Sequence, residues 1–195
     1  MKLRVVATAM TVCALTFGVA EGVRAQQGAF DRQGVYVSAT GVAAIPLGNP
    51  GDIVDVGGGL TAALGWQFSP SLAIEGEFLG TWSSGEYSSI DVDYATYNFF
   101  AGPRVRVPIV PDTLAMTAGA GIGVQIVEAE ASASVGIFDV SASGEDTRFA
   151  WQVKGGLEAP ITQSVALVFD VRYAASADYA GDGTVGVGGG IRFGF

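Results

Sequence analysis

From Gly34 onward, apolar residues alternate with polar or small ones, and this pattern recurs eight times. A period of two marks a β-strand, whose successive side chains point to opposite faces. The predicted strands are Gly34–Ala43, Gly57–Phe68, Leu72–Trp82, Asp91–Val107, Leu114–Val127, Thr147–Ala159, Val165–Ala174 and Val185–Phe195. The last one is the plainest. Val185, Val187, Ile191, Phe193 and Phe195 share one parity, while Gly186, Gly188, Gly190, Arg192 and Gly194 share the other. In the third, Leu72, Ile74, Phe78 and Trp82 oppose Glu75 and Glu77. A strand with a bulky apolar face and a small or charged face suits a barrel that meets lipid outside and encloses a polar interior.

The connections alternate too. Those near 69–71, 108–113 and 160–164 are short and contain proline, whereas 44–56, 83–90, 128–146 and 175–183 are longer and rich in Gly, Ser, Asp and Glu. Short periplasmic turns facing long external loops are the habit of bacterial outer-membrane barrels. Aromatic residues gather at both strand ends. Trp66, Phe68, Phe193 and Phe195 mark one belt, and Trp82, Tyr94, Tyr97, Phe149, Trp151 and Tyr173 the other. Tyr94 is the weak member, because it carries the inward parity. Leu79, Phe100 and Val168 break the polar-inside pattern and are expected either to fill the lumen or to mark a register slip. The prediction is an all-β fold: an eight-stranded antiparallel up-and-down transmembrane β-barrel over residues 34–195, its last strand paired with its first.

Composition narrows the picture. The chain is 49% hydrophobic and 15% charged, with 29 glycines in 195 residues. No stretch after residue 20 is a continuous apolar span of about 18 residues, so a spanning helix is not available. The start reads as a cleavable signal peptide. Lys2 and Arg4 precede an apolar run from Val5 to Ala20, and Val23-Arg24-Ala25 offers small residues at the positions that signal peptidase reads. Cleavage is expected after Ala25, leaving residues 26–33 as a short lead-in. Cys13 lies within the removed part, and Val12 before it is a poor lipidation context. The exported chain then holds no cysteine and no disulfide. Its net charge moves from −9 to −11 when Lys2, Arg4, Arg24 and Glu21 leave (+3 and −1). That excess of negative charge argues against nucleic acid as a partner.

On the inward parity lie Glu75, Glu77, Arg104, Arg106, Arg148, Lys154, Glu158, Asp170, Arg172 and Arg192. Eight strands enclose a space that side chains about fill. Charges there must be paired, so a salt-bridge network is expected, with Arg192 finding one of Glu75, Glu77, Glu158 or Asp170. A gated ion path is the functional counterpart of that reading. Catalysis is limited by composition. Histidine is absent from the sequence, which removes a Ser–His or Cys–His pair and a histidine zinc site. The carboxylates Glu75 and Glu77 are better matched to Arg104 and Arg106 than to an acid–base dyad. No catalytic, metal or cofactor residue is assigned. The glycines at 119, 121 and 123 precede no helix pattern and read as space for lumen side chains. Asp91-x-Asp93 and Asp178 to Asp182 lack the ligand count of a calcium loop. Alternation continues through 131–143 on both sides of Gly136, which predicts a hairpin projecting from the surface at 128–146. A strand edge exposed there can take up a strand of a partner protein.

Residues 34–195 resemble the eight-stranded OmpA/OmpX-type outer-membrane barrels. The likeness rests on the strand pattern, the inward Arg and Glu residues, the paired girdles and Phe195. It implies location in the bacterial outer membrane, with membrane lipid as the surrounding partner. It also implies that Phe193-Gly194-Phe195 is the signal read by the barrel-assembly machinery. Many OmpA proteins continue into a peptidoglycan-binding domain, and tethering to the wall is not expected of this sequence. The expected role is structural or surface-interacting, in adhesion or membrane integrity, and not catalytic. The alternative is a small pore or carrier of ions or solutes. A soluble lipocalin-like barrel would need the aromatic parity inside, which overfills an eight-stranded lumen.

Overall fold

The computed structural model describes residues 33–48, 55–87, 90–135, 138–177 and 183–195. The predicted signal peptide and the lead-in at 26–33, apart from Gln33, lie outside them. Eight strands follow one another: β1 (Gly34–Leu47), β2 (Gly57–Ser69), β3 (Leu72–Tyr87), β4 (Ile90–Val110), β5 (Leu114–Val135), β6 (Phe138–Pro160), β7 (Val165–Ser176) and β8 (Gly183–Gly194). Each pairs antiparallel with its neighbour, and β8 pairs with β1, so the sheet is a closed barrel. Closure pairs both sides of every strand through the barrel wall, as a membrane-spanning sheet requires.

The predicted parity holds strand by strand. Val35, Leu64, Trp66, Ile74, Phe99, Val107, Met116, Ile122, Val153, Leu167, Phe169 and Ile191 are all exposed on the outside. Glu75, Glu77, Arg106, Glu158, Arg172 and Arg192 are buried inside. Aromatic contacts appear near both rims. Trp66 meets Phe68 edge-on with ring centres 6.1 Å apart. At the loop end, Trp82 meets Tyr97 at 6.4 Å and Trp151 meets Tyr173 at 5.4 Å. Tyr94 pairs in register with Ser83, whose side chain is buried, and so stands apart from the lipid-facing belt.

The strands at the loop end are longer than the apolar alternation suggests. Segment 83–90 is expected as a loop, yet β3 and β4 remain paired up to Tyr87 and Ile90. β5 and β6 stay in register from Ala115↔Glu158 to Val135↔Phe138. The reason is physical: above the membrane the outward positions no longer need bulk, so Ser, Asp and Glu replace Leu and Phe while the ladder continues. The turn end is compact. Val110-Pro111-Asp112-Thr113 closes with Thr113 N–H donating to Val110 O at 3.1 Å, and Asp112 takes a positive φ of 56°. Proline fixes the first corner, and an Asp can adopt the left-handed second.

The charged lumen as candidate functional site

Inward side chains form layers along the barrel axis. Nearest the turn end, the Glu158 carboxylate on β6 accepts from three guanidiniums. Arg104 and Arg106 of β4 reach it at 2.9 and 3.0 Å, and Arg192 of β8 at 2.7 Å. Arg106 also donates twice to Pro70 O, at 3.3 and 3.2 Å. Arg192 donates to Gln67 Oε1 at 3.3 Å. The next layer is acidic. Glu75 accepts from Lys154 at 2.6 Å and lies 3.7 Å from Arg104. Glu77 pairs with both Lys154 and Arg172. Asp170 accepts from Nε and Nη2 of Arg172, two residues along the same strand face, at 2.9 and 2.7 Å.

Nine of the ten charged residues singled out from the sequence thus meet in one connected network. Arg148 does not. Its inward parity places it high on β6, where it binds Asp146 at 2.8 Å in a half-exposed rim pair. Arg106, matched from the sequence to Glu75 and Glu77, is found paired with Glu158. It lies two positions nearer the turn end than Arg104, beside the Pro70 carbonyl it also binds, where Glu158 is in reach.

Tyr36 is the residue that the charge pattern misses. Its ring is fully buried, its hydroxyl donates to Glu75 at 2.8 Å, and the guanidiniums of Arg192 and Arg104 lie 4.4 and 5.6 Å from its centre. It therefore links the cationic layer to the acidic one through cation–π contact and a hydrogen bond. The signal was its parity, shared with Ser38 and Thr40. Room for the ring comes from Gly65, its cross-strand partner, where any Cβ would collide with the phenol.

Above the charges the lumen turns apolar. Val42, Leu79, Phe100, Ala150 and Ala174, from five different strands, form one buried cluster. Leu79 and Phe100 break the sequence pattern because they fill the lumen; the register does not slip. Higher still come hydroxyls and amides. Thr81 bonds Thr96 at 2.8 Å, and Asn98 Nδ2 donates to Leu79 O at 3.3 Å. Asn98 Oδ1 and Gln152 Oε1 are buried and accept from no donor among the described residues. Two cavities of about 30 Å³ each flank the charged layers. One opens at the turn end between Tyr36, Gln67, Glu158 and Arg192; the other lies among Glu75, Glu77, Arg104, Lys154 and Asp170. Each has space for little more than a water or two. Among the described residues, no three His, Cys, Asp or Glu side chains are grouped to hold a metal ion.

Comparison with known proteins decides the family. The outer membrane protein beta-barrel domain matches residues 10–193. The chain belongs to that family. It is an outer-membrane β-barrel, and its apolar exterior is the lipid-facing surface. With an even strand count, both ends of the sheet and the short turns lie on the periplasmic side. Solved structures show the same fold. Ail, the attachment invasion locus protein of Yersinia pestis, solved with the heparin analogue sucrose octasulfate, is 23% identical with a TM-score of 0.59, covering 83% of this chain and 100% of that one. Neisserial surface protein A is 17% identical with a TM-score of 0.58, over 83% and 97%. OprG of Pseudomonas aeruginosa is 7% identical with a TM-score of 0.55, over 85% and 98%. No curated protein matches the sequence.

Proposed function

We propose that the chain is a non-catalytic anchor: a closed barrel that displays a β-sheet at the cell surface for binding a segment of another protein. The observation that carries this is the outer edge of β6. Its pairing with β7 begins only at Ala150↔Ser176, with Ala177 N donating to Phe149 O just beyond. From Phe138 to Arg148, no described strand covers that edge. The other side of the same stretch is fully paired to β5. Eleven residues of strand span about 36 Å at the usual rise. Such an edge offers backbone donors and acceptors in register for an incoming strand.

Charge favours a cationic segment. The connections at the loop end and the strand tips beside them carry Asp52, Asp55, Glu86, Asp91, Asp93, Glu128, Glu130, Asp139, Glu145, Asp146, Asp178 and Asp182, against one cation, Arg148. Asp93 stands opposite Glu130 across the β4–β5 ladder, and Glu128 opposite Glu145 across β5–β6. Like charges face to face weaken a hairpin, and a basic partner relieves them. Ail was solved with a sulfated polyanion; the acidic surface here suits the opposite charge.

The closed, non-catalytic part of the reading rests on the filled lumen and on the absence of histidine from the sequence. Passage of solutes through cavities of about 30 Å³ is opposed by their size, which disfavours the pore or carrier alternative. Phe193 and Phe195 continue the outward parity of β8 and fit the role of assembly signal for the barrel-assembly machinery. The test replaces residues 132–141 with Asn-Gly, which shortens the hairpin and leaves the barrel strands intact. Cells carrying the variant should insert a normally heat-modifiable barrel and lose binding to the protein surfaces that the parent adheres to. Undiminished adhesion with the shortened hairpin would sink the proposal.

A further inference from the structure

The lumen contains two different obstacles to an ion, and they are not equally dry. The charged layers are unevenly wet: Glu158 and Arg172 are 2% accessible, whereas Arg192 reaches 10%, Arg104 11%, and Lys154 and Asp170 15%. Both cavities lie at their level, and one opens to the periplasmic end. In the apolar cluster above, no member exceeds 6%: Val42 is 6% accessible, Phe100 4%, Leu79 and Ala174 2% and Ala150 0%.

The cluster also fits its wall closely. A Cβ on Gly186 or Gly188 of β8 would come within 2.9 and 3.1 Å of the Val42 methyls, and one on Gly121 of β5 within 3.2 Å of Phe100 Cβ. Strands that contribute no bulk thus leave the space that Val42 and Phe100 occupy. A charge crossing a water-free apolar constriction loses its hydration with nothing in exchange, whereas a charge entering a layer of carboxylates and guanidiniums finds partners.

We propose that the barrier to ion passage is this apolar ring, centred on Leu79 and Phe100. The salt-bridged layers beneath it are a wet vestibule, entered from the periplasm and ending blind at the ring. The inference rests on the closed-lumen reading above and adds where the closure lies. It makes the charge network a brace for the wall, not the gate.

Purified protein in planar bilayers and in salt-loaded vesicles tests it. Four proteins are compared after a heat-modifiability check for folding: the parent, Leu79→Ala/Phe100→Ala, Leu79→Asn, and the charge-neutral pair removal Glu77→Gln/Lys154→Gln. Leu79→Asn keeps the branched outline of the side-chain heavy atoms while wetting the ring, so it remains informative if the double alanine variant fails to fold. The expected result is a tight parent and a tight pair-removal variant. A folded ring variant should leak small monovalent ions at least about tenfold faster. A leak from the pair-removal variant, or tight ring variants beside a tight parent, would overturn the ring as barrier while leaving the closed lumen standing. A leaking parent would overturn the closed-lumen reading itself.

Discussion

At the scale of single residues, burial decides which charges matter. Glu158 holds three guanidiniums and is itself 2% accessible, so its removal leaves those cations without their shared counter-charge. Losing one partner of a buried ion pair costs about 3–5 kcal/mol. Asp146 holds Arg148 at a rim where its own side chain is 57% accessible, and an exposed pair contributes less than about 1 kcal/mol. Glu158→Gln should therefore lower the urea midpoint of the lipid-embedded barrel clearly, while Asp146→Asn should leave it within error. Comparable shifts for the two would refute the network as a stabilising brace. The sequence made nine of these charges legible because parity alone sends them inward. It could not rank them, since Arg148 has the same parity as Lys154. The difference is height along the axis, set by the register of β5, β6 and β7. Tyr36 was hidden for a related reason: an aromatic among apolar neighbours reads as lipid-facing unless its parity is weighed above its type.

At the scale of strands, alternation located all eight elements and missed where they stop. The span within the membrane was readable because lipid demands bulk on alternate positions. Ser83 to Tyr87 and Ile90 to Ala95 carry no such demand, so their pairing left little trace in hydropathy. Hairpin 128–146 was legible only because small residues and Ile137, Phe138 and Val140 keep alternating around Gly136. The seam between β8 and β1 shows how glycine placement governs closure. A Cβ at Gly190 would lie 2.6 Å from Thr40 Cα, whereas one at Gly189, facing lipid, would meet only Val168 O at 3.8 Å. Gly190→Val should block the seam, abolishing the fast-migrating folded band on unheated gels. Gly189→Val should fold normally. A folded Gly190→Val barrel would show that the seam tolerates bulk and that closure is not glycine-limited.

At the scale of the molecule, charge is sorted. Cations are gathered in the lumen, carboxylates dominate the outer surface, and the lipid band between them is apolar. The surface field is then an attribute of the whole outer face, not of any one side chain. Binding of a lysine-rich, strand-forming peptide to barrel vesicles should weaken at least about tenfold between roughly 0.05 and 0.5 M NaCl, as the Debye length shrinks from over ten ångströms to a few. Sucrose octasulfate should produce no binding signal at either salt. Salt-insensitive peptide binding would argue for apolar contacts instead.

The three-to-one pairing at Glu158 also bears on the order of assembly. Its partners come from β4 and β8, and Glu77 finds Arg172 some 95 residues along the chain. A sheet built only to β6 can hold the β4 arginines on Glu158, but it contains neither the Arg192 nor the Arg172 pair. Until the final strand docks and the barrel closes, Arg192 lacks Glu158 and Arg172 lacks Glu77. A partly inserted barrel is therefore an unstable object, and strands should enter the bilayer together, with seam formation as the committing step. Contacts that distant in sequence also make the process slow, so the chain depends on being kept from self-association until its two ends meet.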